Sequence, residues 1–454
     1  MPFKPALFLS RLLSSARLFI LSFALLILTG ALLLWLPVSA VREPLPFVDA
    51  LFMSASAVCV TGLSTIDIGR DLSFTGQIVT LLLFQLGGLG IITFSTVLLG
   101  LTGLGVSFKG REIIQSTFLH TPRRDFLMVL KWVLLYTLII ESAGTILLFL
   151  RFVRELPVGR AFYLAVYHAV SAFNNCGYTL FTDSLMRYRG DWLVNLTVMG
   201  LIVLGGIGFI VQYEIFSKLR GRQKRLSIHS RLVLVMTLIL ILAGTAFFYL
   251  FEVNHILKDM PAGSQFLVSI FQSVTSRTAG FNTVDIGELT NGTILILMLL
   301  MFIGASPGST GGGIKTTSFA LLMLMIWNRI KGLEEINIHN RTVPRDILTK
   351  TILIIFASAF SVCLITSILL LVGTIPGQDP ALTRNFFVEY LFETVSAFGT
   401  VGLSMGITPK LSHFQKLAVV LMMFAGRVGP VTLAFSWSQT RRGITYAEES
   451  VMVG

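Results

Sequence analysis

Charged residues are scarce in this chain. Asp, Glu, Lys and Arg make up 13% of its 454 residues, whereas 54% are apolar; an ordinary soluble domain is roughly a quarter charged. No water-soluble fold can hide so many apolar side chains, which excludes soluble enzymes, disordered binding modules and fibrous proteins. Cysteine is nearly missing too. Cys59, Cys176 and Cys363 lie in or beside apolar segments, an odd number without framework spacing, so neither a disulfide scaffold nor a zinc site is indicated. The six histidines form no ligand pattern, and the apolar runs hold no paired carboxylates or nucleophile constellation, so the chain does not read as an enzyme. Acidic residues number 23 against 35 basic ones. The basic excess is dispersed between apolar runs and forms no stripe for nucleic acid.

What is present is a repeat. The pattern Ser-Ala, four residues, Gly occurs at Ser56 to Gly62, Ser171 to Gly177 and Ser396 to Gly402, with a divergent copy at Val274 to Gly280. The glycines are 115, 103 and 122 residues apart, each close to a quarter of the chain. Four units follow: 1–107, 108–222, 223–335 and 336–454. Each copy is preceded by an apolar run, at about 18–38, 126–150, 231–251 and 347–373, and followed by another, at about 77–104, 192–216, 293–328 and 416–437. Most exceed the roughly 20 residues that cross hydrocarbon as a helix. The expectation is an all-α integral membrane protein with eight spans. The first run is too long for a secretory core, which has roughly 7 to 15 residues, and is read as a retained span.

Between each leading run and its glycine lies a segment too short to cross, such as Phe47 to Val58 or Phe386 to Phe398. A short helix stopping at a glycine inside the membrane is tolerated only where it faces protein or water. A second set of glycines follows: Gly87 and Gly90, Gly205 and Gly208, Gly304, Gly426 and Gly429. Close helix packing is the preferred reading of Gly87 to Gly90 and Gly205 to Gly208. No strand precedes them, which argues against a dinucleotide fingerprint. Lys and Arg number 21 near the presumed inner ends of the runs and 11 near the outer ends, so both termini are expected in the cytoplasm. The densest inner cluster, Lys218, Arg220, Arg222, Lys224 and Arg225, reads equally as topology with anionic-lipid contact and as a docking surface.

Four short helices ending at glycine turns should converge with pseudo-fourfold symmetry on a central ion pore. Glycine permits positive φ, so consecutive carbonyl oxygens can point inward and replace the hydration shell of a cation. The negative C-terminal ends of the short helices favour a cation further. A neutral carbonyl ring suits a monovalent ion, because divalent ions demand carboxylates.

With Gly62, Gly177, Gly280 and Gly402 as single filter glycines, and with Ser276-Arg277-Thr278-Ala279-Gly280-Phe281-Asn282, the chain resembles the Trk/Ktr/HKT potassium transporter superfamily over nearly its whole length. The first repeat begins almost at residue 1, and in this the chain is most similar to the bacterial KtrB branch. The resemblance implies potassium uptake across a bacterial cytoplasmic membrane, with sodium as a second candidate ion. It implies a selectivity filter at Val60, Thr61, Gly62, Asn175, Cys176, Gly177, Thr278, Ala279, Gly280, Thr400, Val401 and Gly402. It further implies a homodimer and a cytosolic nucleotide-binding regulatory ring of the RCK type, such as KtrA. The rival reading is a cation-coupled secondary transporter of another small solute, although such carriers usually show inverted repeats.

The third inner run is interrupted by Gly304-Ala305-Ser306-Pro307-Gly308-Ser309-Thr310-Gly311-Gly312-Gly313-Ile314-Lys315, which cannot continue a helix. The break falls about 16 Å into the membrane at roughly 1.5 Å per residue. It must line a wet cavity, which makes it a candidate gate. A phosphate-binding loop fails on spacing, since Ile314 separates Gly313 from Lys315. Arg427 stands at similar depth on the fourth inner run. Two readings compete for it: satisfaction by loop oxygens at Ser306, Ser309 and Thr310, or pairing with a carboxylate such as Glu141 or Glu393. Arg277 reads equally as a vestibule residue or as a donor to the filter backbone. Glu393, Asn174, Asn175 and Thr61 read as filter supports.

Overall fold

The computed structural model describes residues 15–102, 126–333, 336–338, 341–373 and 380–429. They form helices α1 (Ser15–Trp35), α2 (Phe47–Val58), α3 (Phe74–Thr102), α4 (Phe126–Phe152), α5 (Val158–Phe173), α6 (Trp192–Gly206) and α7 (Phe209–Leu219). The second half adds α8 (Ile228–Glu252), α9 (Ala262–Thr275), α10 (Asn291–Phe302), α11 (Thr316–Ile330), α12 (Arg345–Gly373), α13 (Pro380–Gly399) and α14 (His413–Val428). Among the described residues, the strands are two short ones, Asn337–Ile338 paired antiparallel with Arg341–Thr342.

The long helices meet lipid. In α8 only 28% of the most apolar stretch is buried, and in α12 22%. Their outward leucines and phenylalanines, such as Leu242, Leu250, Phe356 and Phe360, are exposed. Such surfaces are stable only against hydrocarbon, so the chain is an integral membrane protein. Among the described residues, α4, α8 and α12 are each long and apolar enough to cross a bilayer. Helices α1 and α3 run for 21 and 29 residues.

The helices leading into the four glycines are 12, 16, 14 and 20 residues long, so the fourth, α13, is longer than the short segment expected at Phe386 to Phe398. The sequence marks where each begins. Pro46, Pro157 and Pro261 are the N-caps of α2, α5 and α9, and Pro380 opens α13. A proline's fixed φ and missing N–H suit a helix start. The following inner helices are capped by side chains: Asp191 accepts from Val194 N, Thr290 from Thr293 N and Ser412 from Gln415 N.

Two inner runs depart from straight spans. The run expected at 192–216 is bent by 102° between α6 and α7, because Gly208 takes φ +93° and ends the hydrogen-bond ladder. The run at 293–328 breaks where expected, between α10 and α11. The last run ends at Gly429, which also has φ +93°; its expected continuation to 437, and the tail beyond, lie outside the described residues.

Candidate functional site

Each short helix runs into a turn of the same form. The residue two before the glycine and the glycine itself both have positive φ: Val60 (+56°) and Gly62 (+92°), Asn175 (+58°) and Gly177 (+77°), Thr278 (+75°) and Gly280 (+79°), Thr400 (+49°) and Gly402 (+92°). For β-branched Val60, Thr278 and Thr400 this is a strained conformation, of order 1–3 kcal/mol each, held by its surroundings. Hydroxyls supply part of the hold. Ser56 Oγ accepts from Gly62 N at 3.0 Å and Ser396 Oγ from Gly402 N at 3.1 Å. Ser171 Oγ donates to Tyr178 O at 2.7 Å, and Thr275 Oγ1 to Phe281 O at 2.6 Å. Thr61, Cys176, Ala279 and Val401, in the middle of the turns, are fully buried.

The four turns close on one another in cyclic order. A Cβ added to Gly62 would lie 2.1 Å from Cys176 O, on Gly177 2.5 Å from Ala279 O, on Gly280 2.3 Å from Val401 O, and on Gly402 2.2 Å from Thr61 O. Every glycine therefore abuts the peptide oxygen just before the next glycine, and the fourth contact returns to the first turn. On one side these glycines floor a cavity of about 420 Å³ that is also lined by Asp67 and Asp285.

The broken helix also meets the turns. An added Cβ on Gly311 would meet Thr278 Oγ1 at 2.2 Å, and one on Gly312 would meet Thr400 Oγ1 at 2.5 Å. Gly312 N donates to that Thr400 hydroxyl at 3.0 Å. The segment is tied to the α6–α7 bend: Ser306 N donates to Gly206 O, Thr310 N to Gly205 O, and Phe209 N to Gly308 O. Thr310 Oγ1 reaches Phe173 O at the end of α5 at 3.3 Å. Gly313 N donates to Gly426 O on α14. Internally, Ser309 Oγ donates to Ser306 O, Ser306 and Thr316 share a hydroxyl contact at 2.9 Å, and Lys315 Nζ donates to Gly311 O at 2.9 Å. Gly304 leaves no room for a Cβ beside Gly312 O.

Arg427, 4% exposed, donates from Nη1 to Thr310 O and from Nη2 to Gly87 O at 2.5 Å and Gly88 O at 3.3 Å. Of the loop oxygens expected for this arginine, only the Thr310 carbonyl is an acceptor; the other two acceptors, Gly87 O and Gly88 O on α3, belong to neither reading. The carboxylates are engaged elsewhere. Glu141 accepts from Gln85 and Asn174, and Glu393 accepts from Ser404 at 2.8 Å and from Thr408. Arg277 departs from both expectations: its guanidinium turns to α8, where Thr237 O and Oγ1 lie 3.4 Å away.

Helix packing accounts for Gly87, Gly205 and Gly426. An added Cβ on each would fall 1.9 to 2.1 Å from a short-helix carbonyl, of Val58, Phe173 and Phe398 respectively. Two features escaped the sequence reading. The Gly208 bend was signalled only by three glycines within four residues. The ion pair of Lys416 with Asp49, 2.5 Å apart, had no local signal at all.

Lipid-facing helices packed around a closed ring of strained peptide turns define an integral membrane protein whose polar centre is built from backbone. A model of the TrkH family, described as cation transport protein, matches residues 18–440. The chain belongs to this family and is a transporter, not an enzyme. It is 36% identical over 441 residues to the Ktr system potassium uptake protein B of Vibrio alginolyticus, covering 96% of this chain and 94% of that protein. It is 37% identical over 437 residues to the protein of the same name from Bacillus subtilis, with 96% and 95% covered. It is 32% identical to the potassium/sodium uptake protein NtpJ of Enterococcus hirae, with 97% and 98% covered. The fold is similar to the crystal structure of the potassium transporter TrkH from Vibrio parahaemolyticus, with a TM-score of 0.73, 19% identity, and coverage of 92% of this chain and 83% of that one.

Proposed function

We propose that this chain carries potassium into the cell across the cytoplasmic membrane, as the ion-conducting subunit of a Ktr-like system. In this reading the four units 1–107, 108–222, 223–335 and 336–454 are pseudo-fourfold repeats, and α2, α5, α9 and α13 are pore helices. The carbonyls of Val60, Thr61, Asn175, Cys176, Thr278, Ala279, Thr400 and Val401 replace the water shell of the ion, with Gly62, Gly177, Gly280 and Gly402 giving them room. The observation that carries this is the cyclic order of the glycine contacts, because a ring of peptide oxygens closed on itself is the geometry that dehydrates a monovalent cation. The names of the relatives support potassium as cargo, and that of the Enterococcus relative adds sodium as a second candidate.

The segment from Gly304 to Lys315, with Arg427, is the gate of this reading. It lies against Thr278 and Thr400 beside the ring, and it brings a buried guanidinium whose charge repels a passing cation. Both termini face the cytoplasm, two copies associate, and a nucleotide-binding ring acts on the cytoplasmic face, where the exposed Lys218 to Arg225 cluster meets lipid headgroups or that ring. A carrier for another small solute is less well supported, since the broken helix spends its backbone groups on Gly205, Gly206 and Gly426.

Uptake into cells lacking their own potassium systems tests the proposal. Expression of this chain should restore growth on low potassium and rubidium entry. Uptake of an amino acid in its place, with no alkali-metal flux, would favour the carrier.

A further inference from the structure

Behind the second glycine turn sits a carboxyl group that the ion path above does not use. Glu141, on α4, is 8% exposed and forms no ion pair among the described residues. Its Oε1 accepts from Asn174 Nδ2 at 3.1 Å and its Oε2 from Gln85 Nε2 at 3.3 Å. The same Asn174 amide donates to Gln85 Oε1 at 2.5 Å and to Val170 O at 2.9 Å. Three elements meet here: α3 of the first quarter, and α4 and α5 of the second.

Asn174 is the C-cap of α5 and the immediate neighbour of Asn175, whose positive φ starts the turn. The position three before the filter glycine is occupied differently in each quarter. Cys59 and Gly399 carry little or no side chain there, Arg277 reaches the outer helix α8, and Asn174 reaches the outer helix α4. Turns two and three are thus tethered by side chains to their own outer helices. Its hydrogen bonds to side chains of two other elements offset the loss of water and make this carboxyl the point where α3, α4 and the end of α5 are joined. Gln85 extends the tether, standing two residues before Gly87, whose carbonyl receives Arg427.

We propose that Glu141 is a positioning residue for ion selection: through Asn174 and Gln85 it fixes the turn bearing Asn175, Cys176 and Gly177, and so sets the width of the carbonyl ring. The proposal rests on the filter reading above. A ring held at one width can favour a larger dehydrated ion over a smaller one, whereas a slack ring adapts to both.

The test uses the full chain in liposomes, with rubidium entry competed by potassium and by sodium. The readout is the ratio of the two half-inhibiting concentrations, which loss of folded protein does not move. Glu141→Leu and Asn174→Leu should each narrow the potassium preference by about tenfold, and the double variant should be no worse than either single one. Should Glu141→Leu fail to fold, Glu141→Gln, which keeps one acceptor oxygen, should narrow the ratio by a smaller factor. An unchanged ratio, or single losses that multiply in the double variant, would overturn the proposal. Glu252→Gln, altering a buried carboxyl whose hydrogen bonds go to Thr290 and Thr293 at the start of α10, should leave the ratio alone. Gly177→Ser separates the two layers: if it also spares the ratio the filter reading fails, and if it alone collapses the ratio only the role of Glu141 fails.

Discussion

Lys416 Nζ lies 2.5 Å from Asp49 Oδ1, although the two residues are 367 positions apart in the chain. Asp49 belongs to the first turn of α2 and Lys416 to the first turn of α14, so this buried pair joins the last quarter of the molecule to the first. The contact of Gly402 with the carbonyl of Thr61 joins the same two quarters.

Removing one partner strands the other. Lys416→Met should destabilise the protein by about 3–5 kcal/mol, because an unpaired buried carboxylate remains. The combination of Lys416→Met with Asp49→Leu should recover most of that loss. Thermal unfolding in detergent checks both expectations, and equal losses in the single and double variants would contradict them.

Gly402 has φ +92° and no room for a Cβ beside Thr61 O. Gly402→Ser must displace that carbonyl, and the strain of about 1–3 kcal/mol should reduce discrimination between potassium and sodium by roughly tenfold or more. Competition of rubidium uptake by the two ions measures it. Undiminished discrimination would remove Gly402 from the filter.

Arg427→Ala releases the carbonyls of Thr310 and Gly87, which join the broken helix to the first inner helix. Rubidium flux should rise several-fold as the charge and the tie are lost together. Gly311→Ala should act in the same direction, because its methyl would collide with the Thr278 hydroxyl and the Ala305 side chain and push the segment away from the ring. Lower flux in folded protein would identify this segment as scaffolding.

Glu252 is fully buried and accepts from Thr290 N at 2.9 Å, Thr290 Oγ1 at 2.8 Å and Thr293 Oγ1 at 2.5 Å, closing the start of α10. Glu252→Ala leaves those donors unsatisfied and should cost about 1–3 kcal/mol in unfolding. Ion preference should be unaffected. A changed preference would mean that the cap communicates with the ring.

The sequence alone determined the membrane class, the four glycine stops with the helices that lead into them, and the interruption of the third inner run. These are local properties. Apolar length decides whether a segment enters lipid, and a proline start, a glycine stop or a cluster of glycines acts on the few residues around it. Tertiary structure decided what those features meet. That Arg427 rests on the carbonyls of Gly87 and Thr310 depends on how the quarters pack against one another, and that Arg277 turns to Thr237 and Glu141 holds Asn174 depends on how the helices pack within a quarter. The bend at Gly208 belongs to the same class, for a glycine merely permits φ +93°, and the Phe209 N bond to Gly308 O makes use of it. Pairings between residues tens to hundreds of positions apart leave no periodicity in a single chain. They exist only once the helices have packed.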